Sequence, residues 1–355
     1  MTDLVVVEEL CAYFPARAPT GRRAVLHAVD KVSFAIRRNE ILALVGESGC
    51  GKSTLGRTIL QLQKPTAGRV LFDGQNLAAL PPGELRRLRR RMQVIFQNPH
   101  GSLDPRISIG QAIRDPLDIH AVGTGDERRA RVAELLGLVG LHPDHARRFP
   151  HQISGGQAQR VAIARALALH PEFIIADEPV SSLDVSIQAQ ILNLMADLRT
   201  SLGLTYLFIA HNLAVVEHFS TRVAVMYLGR IVELGPSAEL YARPLHPYTQ
   251  GLLASAPVAD PDAPVRPLLL QGDVPSPLDP PPRCRFESRC PSAMDICRQV
   301  DPDLTQVEPE HWVACHLYPG QRAAPPAPET ASLDPKSPHH QGTKTPRNDA
   351  GRTGG

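Results

Sequence analysis

The chain has 355 residues, 43% hydrophobic and 21% charged, with a net charge of +2 at pH 7. That is room for one large or two modest domains around a substantial core, and the near-neutral balance supplies no strong field for nucleic acid or an acidic membrane surface. No stretch approaches the roughly eighteen consecutive apolar residues of a bilayer span, and the N-terminus has no basic stretch followed by an apolar core, so neither a spanning helix nor a secretion signal is expected.

Residues 4 to about 256 read as one α/β unit. Apolar runs at Ile41–Val45, Val94–Phe96, Phe173–Ala176, Thr205–Ala210 and Arg222–Tyr227 predict strands, and Lys52–Gln61 and Gln157–Leu169 predict helices between them. That alternation predicts a mainly parallel sheet. Val223–Tyr227, the pair Leu228-Gly229 and Arg230–Leu234 predict a hairpin. Arg86-Arg87-Leu88-Arg89-Arg90-Arg91 reads as a solvated helix face, since it has no interleaved aromatics for stacking on bases. Composition changes near Pro257: 19 of the 34 prolines lie beyond residue 256. Pro275–Pro282 can be neither helix nor central strand and reads as a stiff connector, within a segment 257–320 that carries four cysteines. Residues 321–355 are nearly devoid of apolar side chains and are expected to be disordered.

Three motifs carry chemistry. Gly46-Glu47-Ser48-Gly49-Cys50-Gly51-Lys52-Ser53 matches G-x-x-x-x-G-K-[ST] and sits between a predicted strand and a predicted helix. Its glycines let backbone N–H groups curl around phosphate oxygens, with the helix N-terminus adding partial positive charge. Lys52 is expected to reach the β- and γ-phosphates, Ser53 to ligate Mg²⁺, and Thr54 to lie beside them. The strand Phe173–Ala176 ends in Asp177-Glu178. Asp177 can hold Mg²⁺ through water, leaving Glu178 to polarise the attacking water as general base. Ser154-Gly155-Gly156-Gln157 has capping-box spacing, so it starts a helix, and its two glycines suit an anion.

The phosphate loop, Gln97, Ser154–Gln157, Asp177-Glu178, Ser182-Leu183-Asp184 and His211, in this order, resemble the ATP-binding subunit of ABC transporters over about residues 4 to 256. The resemblance implies a RecA-like phosphate-loop core, an antiparallel β-subdomain, an α-helical subdomain at about 98–170, and a small cysteine-bearing C-terminal extension. It implies that Gln97 senses Mg²⁺ and the attacking water, Asp184 crosses a dimer interface, and His211 contacts the γ-phosphate. It also implies an aromatic on adenine, for which Phe14 is the best match and Tyr13 the alternative. ATP is then sandwiched between one chain's phosphate loop and the partner's Ser-Gly-Gly-Gln. Two departures are mild: Asn212 follows His211 where Asp is usual, and Asn39 stands where Gly usually precedes Glu40. Asn tolerates left-handed backbone nearly as well as Gly.

Gln97–Arg106 and the segment Arg243-Pro244-Leu245-His246-Pro247-Tyr248 narrow the resemblance to the oligopeptide and dipeptide importers, whose relatives also carry nickel chelates or other small solutes. The implied partners are a second, different ABC ATPase chain, two transmembrane permease chains and an extracytoplasmic solute-binding protein, with this chain peripheral on the cytoplasmic face of the inner membrane. The rival class, a soluble ABC ATPase acting on nucleic acid or the ribosome, usually carries long coiled coils or a duplicated ATPase unit. Cys284, Cys290, Cys297 and Cys315 are spaced x5, x6 and x17, without the close Cys pair of structural zinc sites. The spacing resembles that of importers thought to hold a [4Fe–4S] cluster, ahead of zinc or four plain thiols. His311 and His316 flank Cys315 as substitute ligands.

Overall fold

The computed structural model describes residues 2–211, 213–255 and 272–318. The expected tail at 321–355, residues 256–271 ahead of the connector and Asn212 lie outside the described residues. The chain opens with two long antiparallel strands, β1 (Asp3–Arg17) and β2 (Arg23–Arg37). β3 (Ile41–Val45) leads through the phosphate loop into α1 (Lys52–Ile59). β4 (Ala67–Phe72) and β5 (Gln75–Asn76) follow, then α2 (Pro82–Leu88) and β6 (Met92–Ile95). Three helices come next, α3 (Ile109–Ile119), α4 (Gly125–Leu138) and α5 (Gly155–Leu167). β7 (Phe173–Asp177), α6 (Val185–Leu202), β8 (Thr205–Ala210), α7 (Leu213–Val216) and β9 (Arg222–Tyr227) then alternate. β10 (Arg230–Pro236), α8 (Ser237–Ala242), α9 (Pro247–Ala254), β11 (Thr305–Glu308) and β12 (His311–Val313) end the described chain.

The strands form two sheets. One is antiparallel, in the order β2-β1-β4-β5. The other runs β11-β12-β10-β9-β3-β8-β7-β6, and its centre from β9 to β6 is parallel. β3, β7, β8 and β9 are buried at every residue, which is why they read as continuous apolar runs rather than alternating ones. Alternate residues of β3 feed two cores: Ile41, Ala43 and Val45 face the cluster that includes α3–α5, and Leu42 and Leu44 face the cluster under the antiparallel sheet. α3, α4 and α5 pack on one another, each opened by a side-chain cap: Ser108, Thr124 and Ser154. Asn39 adopts φ +60°, the left-handed backbone anticipated for it. Among the described residues no helix is long and apolar enough to cross a membrane.

One expectation needs correction. The arginine run is only half solvated. Arg89 donates to the carbonyls of Leu60 and Gln61, closing the C-terminus of α1, and Arg91 pairs with Asp73 and Glu172 over the ring of Phe72. The cysteine segment packs on the rest of the chain. β12 extends the large sheet through Glu233↔Val313 and Leu234↔Trp312, and Leu278 of the connector bridges Leu26 on β2. Trp312 also lies against the guanidinium of Arg222, which is paired with buried Glu40.

A buried carboxylate organises this junction. Glu233 accepts from the backbone N–H groups of Leu245 and His246 and pairs with His311, so one side chain joins β10, the start of α9 and β12. His246 caps α9, its Nδ1 accepting from the Tyr248 N–H. Burial pushes the His246 imidazole down from its ordinary 6.5 to about 4. The unfolded chain therefore takes up this proton below pH 6.5 while the folded chain does not until about pH 4, so stability falls as pH drops through that window. His246→Asn keeps a capping acceptor and removes the titration. Its thermal unfolding temperature should fall less steeply than wild type between pH 6.5 and 4; parallel curves for the two proteins would contradict this account.

Candidate functional site

The phosphate loop crosses from the end of β3 to α1 at the centre of the parallel sheet, where the carboxyl ends of neighbouring strands open a crevice. Two of its glycines are required by contact as well as conformation. A Cβ on Gly46 (φ +154°) would stand 2.1 Å from the Met226 carbonyl oxygen, and one on Gly51 (φ +110°) 2.0 Å from that of Ala28. Gly51 caps α1 without any side-chain acceptor, which leaves the first N–H groups of the helix for a ligand. Lys52 is 5% exposed, and its ammonium donates to the carbonyls of Gly46 (2.7 Å) and Glu47 (3.0 Å). Burial raises the pKa of the neighbouring Cys50 thiol, so it stays protonated and packs as a small apolar group.

The loop's other partners converge on it. Ser53 Oγ donates to Asp177 Oδ1 at 2.7 Å, bringing together the hydroxyl and the carboxylate expected around Mg²⁺. Burial raises the pKa of the Asp177 carboxyl, ahead of the opposing effect of the Ser53 hydrogen bond. A cation held there would favour the carboxylate. Glu178 has φ +47°, a left-handed backbone uncommon for this residue type, and its N–H donates to the Ile209 carbonyl. Its carboxylate accepts from Gln97 Nε2 at 2.9 Å, and His211 Nδ1 stands 3.6 Å away. A cavity of about 290 Å³ is lined by Ser48–Thr54, Gln97 and Glu178, with Leu26, His27, Ala28, Leu228, Gly229 and Pro277 on the other wall. It is polar at the loop and at Glu178, as an in-line attack on a phosphoryl group by water requires.

Other expected site residues lie elsewhere. Ser154 and Gln157 form the anticipated capping box, with mutual hydrogen bonds of 3.3 and 3.1 Å, but neither they nor Gly155, Gly156 and Asp184 line this cavity. Asp184 opens α6 exposed, with no side-chain capping bond. Phe14 is half-buried, pairs with Leu26 across β1 and β2, and lines a separate, mostly apolar pocket with Tyr13, Val25 and Thr66. The Tyr13 hydroxyl is committed to Asp30 and Cys11, and its ring lies 4.2 Å from that of His27.

All six cysteines are free thiols. Burial raises Cys284 to about 12 and Cys315 to about 11, and also raises Cys290. Among the described residues, the metal-competent grouping with ligand atoms within 4.8 Å is Glu239, Glu308 and His311, not the cysteines. The four sulfurs do not come within that distance of one another as a set, which one tetrahedral ion would require. His311 and His316 are not held ready as substitute ligands: Nε2 of His311 is bonded to Glu233, and Nε2 of His316 to the Val300 carbonyl.

Sequence reasoning missed a set of contacts from the C-terminal segment. Arg289 pairs with both oxygens of Glu47 at 2.8 and 2.9 Å, the Tyr248 hydroxyl accepts from the Glu47 N–H at 2.9 Å, and Arg285 reaches the Leu228 carbonyl and Asp30. The acid inside an anion-binding loop was the one available signal; nothing in the spacing identified its partner.

The model of the family described as ABC transporter matches residues 29–181, and that of the oligopeptide/dipeptide transporter C-terminal region matches residues 232–297. The oligopeptide transport ATP-binding protein AppF of Bacillus subtilis is 51% identical over 320 residues, which cover 89% of this chain and 97% of AppF. The chain belongs to the ABC transporter family. Its ATP-binding fold is similar to that of the ATP-binding cassette MJ0796, solved as a dimer in a post-hydrolysis state bound to ADP and Pi (TM-score 0.59, 31% identity, 66% of this chain and 98% of that one). It is also similar to cbiO1 of Clostridium perfringens, part of the transporter complex cbiONQ (TM-score 0.59, 30% identity, 68% and 92%). As an ABC ATPase the chain uses ATP and Mg²⁺.

Gly51→Ala tests the loop geometry. The added Cβ forces the turn away from Ala28, and losing two charge-assisted hydrogen bonds to phosphate costs about 3–6 kcal/mol. MgATP affinity, measured by titration calorimetry, should fall by more than about 100-fold with the circular dichroism spectrum unchanged. Wild-type affinity would mean that phosphates are not gripped by this turn.

Proposed function

We propose that this chain is the ATP-hydrolysing subunit of an importer for oligopeptides or dipeptides, peripheral on the cytoplasmic face of the inner membrane. The observation that carries this reading is the joining of the catalytic crevice to the His-Pro-Tyr extension: Tyr248 and Arg289 both bond Glu47 of the phosphate loop. AppF, named for oligopeptide transport, matches through both regions. The proposed partners are two transmembrane permease chains, a second ABC ATPase chain and an extracytoplasmic solute-binding protein. No nucleic-acid role is proposed.

In this reading Gly46–Thr54 grips the phosphates, Lys52 reaches the β- and γ-phosphates, and Ser53, Gln97 and Asp177 surround Mg²⁺. Glu178 takes the proton of the attacking water, with Gln97 beside it and His211 placed to contact the γ-phosphate. The 2.9 and 3.6 Å approaches of Gln97 and His211 to one Glu178 oxygen support this division of labour. Phe14 stacks on adenine, with Tyr13, whose ring lies on that of His27 in the cavity wall, as the alternative. Ser154–Gln157 and Asp184 serve the partner's nucleotide in a head-to-tail dimer; the exposure of Ser154 and Asp184 at helix starts, outside this chain's own cavity, supports that role. Glu178→Gln should bind MgATP but turn over at least about 100-fold more slowly in the complex purified with two polytopic chains. Steady-state turnover near wild type would refute the base assignment, and isolation with nucleic acid in place of polytopic chains would refute the transport reading.

The same proposal places a [4Fe–4S] cluster on Cys284, Cys290, Cys297 and Cys315. Bound, it would supply a crosslink for a segment poor in core residues. Support comes from the pairing of two of the four turns, where the Cys284 N–H donates to the Cys297 carbonyl. Anaerobically purified protein should contain about four irons per chain with visible charge-transfer absorbance. Iron-free, colourless protein would remove the cluster.

A further inference from the structure

The phosphate loop contains an acid. Glu47 lies two residues from Gly49 in a turn whose N–H groups and lysine are arranged for anions, and a free carboxylate there would repel the nucleotide. Its charge is met by a residue 242 positions later in the chain. Arg289 presents two nitrogens to the two Glu47 oxygens, and its side chain is only 5% exposed. The same guanidinium lies 5.9 Å from the ring centre of Tyr227, whose ring packs against those of Tyr248 and Phe286. A planar fork held in an aromatic setting loses little freedom on pairing.

The pair bears on Lys52 as well. The Glu47 backbone is held at its N–H by the Tyr248 hydroxyl, and its carbonyl accepts from Lys52. The position of Glu47 thus sets where the lysine ammonium rests. On the opposite wall Gly229 donates its N–H to the Cys50 carbonyl, and Arg285 holds the Leu228 carbonyl next to it. Two arginines four residues apart in the C-terminal extension therefore brace both sides of the loop. Arg289 is the one that neutralises charge within it.

We infer that Arg289 is a positioning residue for nucleotide binding: the C-terminal extension withdraws the Glu47 carboxylate from the phosphates and fixes the loop carbonyl that places Lys52. This rests on the reading that the loop binds ATP. It gives the extension a second role besides any metal it carries, because without it the phosphate loop keeps an unneutralised acid.

The test is a double-mutant cycle in the full-length chain, with MgATP affinity measured by calorimetry and ATPase kinetics measured in the transporter complex. Arg289→Ala should weaken MgATP binding and raise KM by about 10- to 100-fold, the range expected for an unscreened carboxylate several ångströms from phosphate at an effective dielectric of about 20. The maximal rate at saturating ATP should change little, because Glu178, Gln97 and His211 are untouched. Arg289→Lys keeps the charge without the fork and should fall between the two. It also carries the test should Arg289→Ala fail to fold. Adding Glu47→Gln to Arg289→Ala should recover most of the lost affinity. Arg289→Ala with wild-type affinity, or a loss that Glu47→Gln does not relieve, would overturn the inference and leave Arg289 as a fastener of the extension. Wild-type protein that fails to bind MgATP would instead overturn the ATP reading and this inference with it.

Discussion

Lys52 carries a positive charge into a space where only 5% of the residue is exposed, and the turn around it comes within 2.1 Å of neighbouring carbonyls if a single carbon is added. Much else in the chain answers to that turn. β3 must be central so that strands flank it on both sides, and β9 must follow closely enough for its Met226 carbonyl to wall in Gly46. β2 brings the Ala28 carbonyl against Gly51, which ties the antiparallel sheet to the same point. A loop that grips anions by its backbone has few N–H groups to spare for its own shape: Cys50 bonds the Glu47 carbonyl, and Glu47 bonds Tyr248. Much of its shape has to come from the surroundings.

Those surroundings are supplied in layers of increasing sequence distance. Asp177 and Ser53 meet because β7 lies two strands from β3, so their ends rise together at the carboxyl edge of the sheet. Glu178 takes a left-handed turn immediately afterwards, which aims its carboxylate back toward Gln97 and His211. Such backbone is tolerated where neighbours over-determine it, here through the Glu178 N–H on Ile209. The outermost layer is the C-terminal extension, whose Tyr248, Arg285 and Arg289 close on the loop from behind. Buried Glu233 holds that layer to the large sheet by joining β10, α9 and β12.

The candidate site was legible because each motif is local. Gly46–Ser53, Ser154–Gln157 and Asp177-Glu178 each combine a chemistry with the end of one strand or the start of one helix, and hydrophobic period locates those ends to within a residue or two. Ile41–Val45, Thr205–Ala210 and Arg222–Tyr227 were placed without error for the same reason: a strand covered on both faces is a plain apolar run. The arginine run shows where this stops. Arg89 and Arg91 look like their neighbours in sequence, yet one closes the end of α1 and the other pairs with Asp73 and Glu172, because the turn after α2 points them inward.

Sequence alone determined the α/β class, the order of the chemical groups and the ATPase family, since these rest on period and on spacing within a few residues. Tertiary structure alone decided how the proline- and cysteine-rich segment relates to the rest. Composition marked a stiff connector and a small cysteine-bearing extension without saying what they pack on; β12 joins the large sheet and Pro277 lines the phosphate cavity. The pairing of Glu47 with Arg289 across 242 residues has no local signature. An ion pair depends on where two side chains end in space, and only the packing of the C-terminal segment against the phosphate loop brings those two ends together.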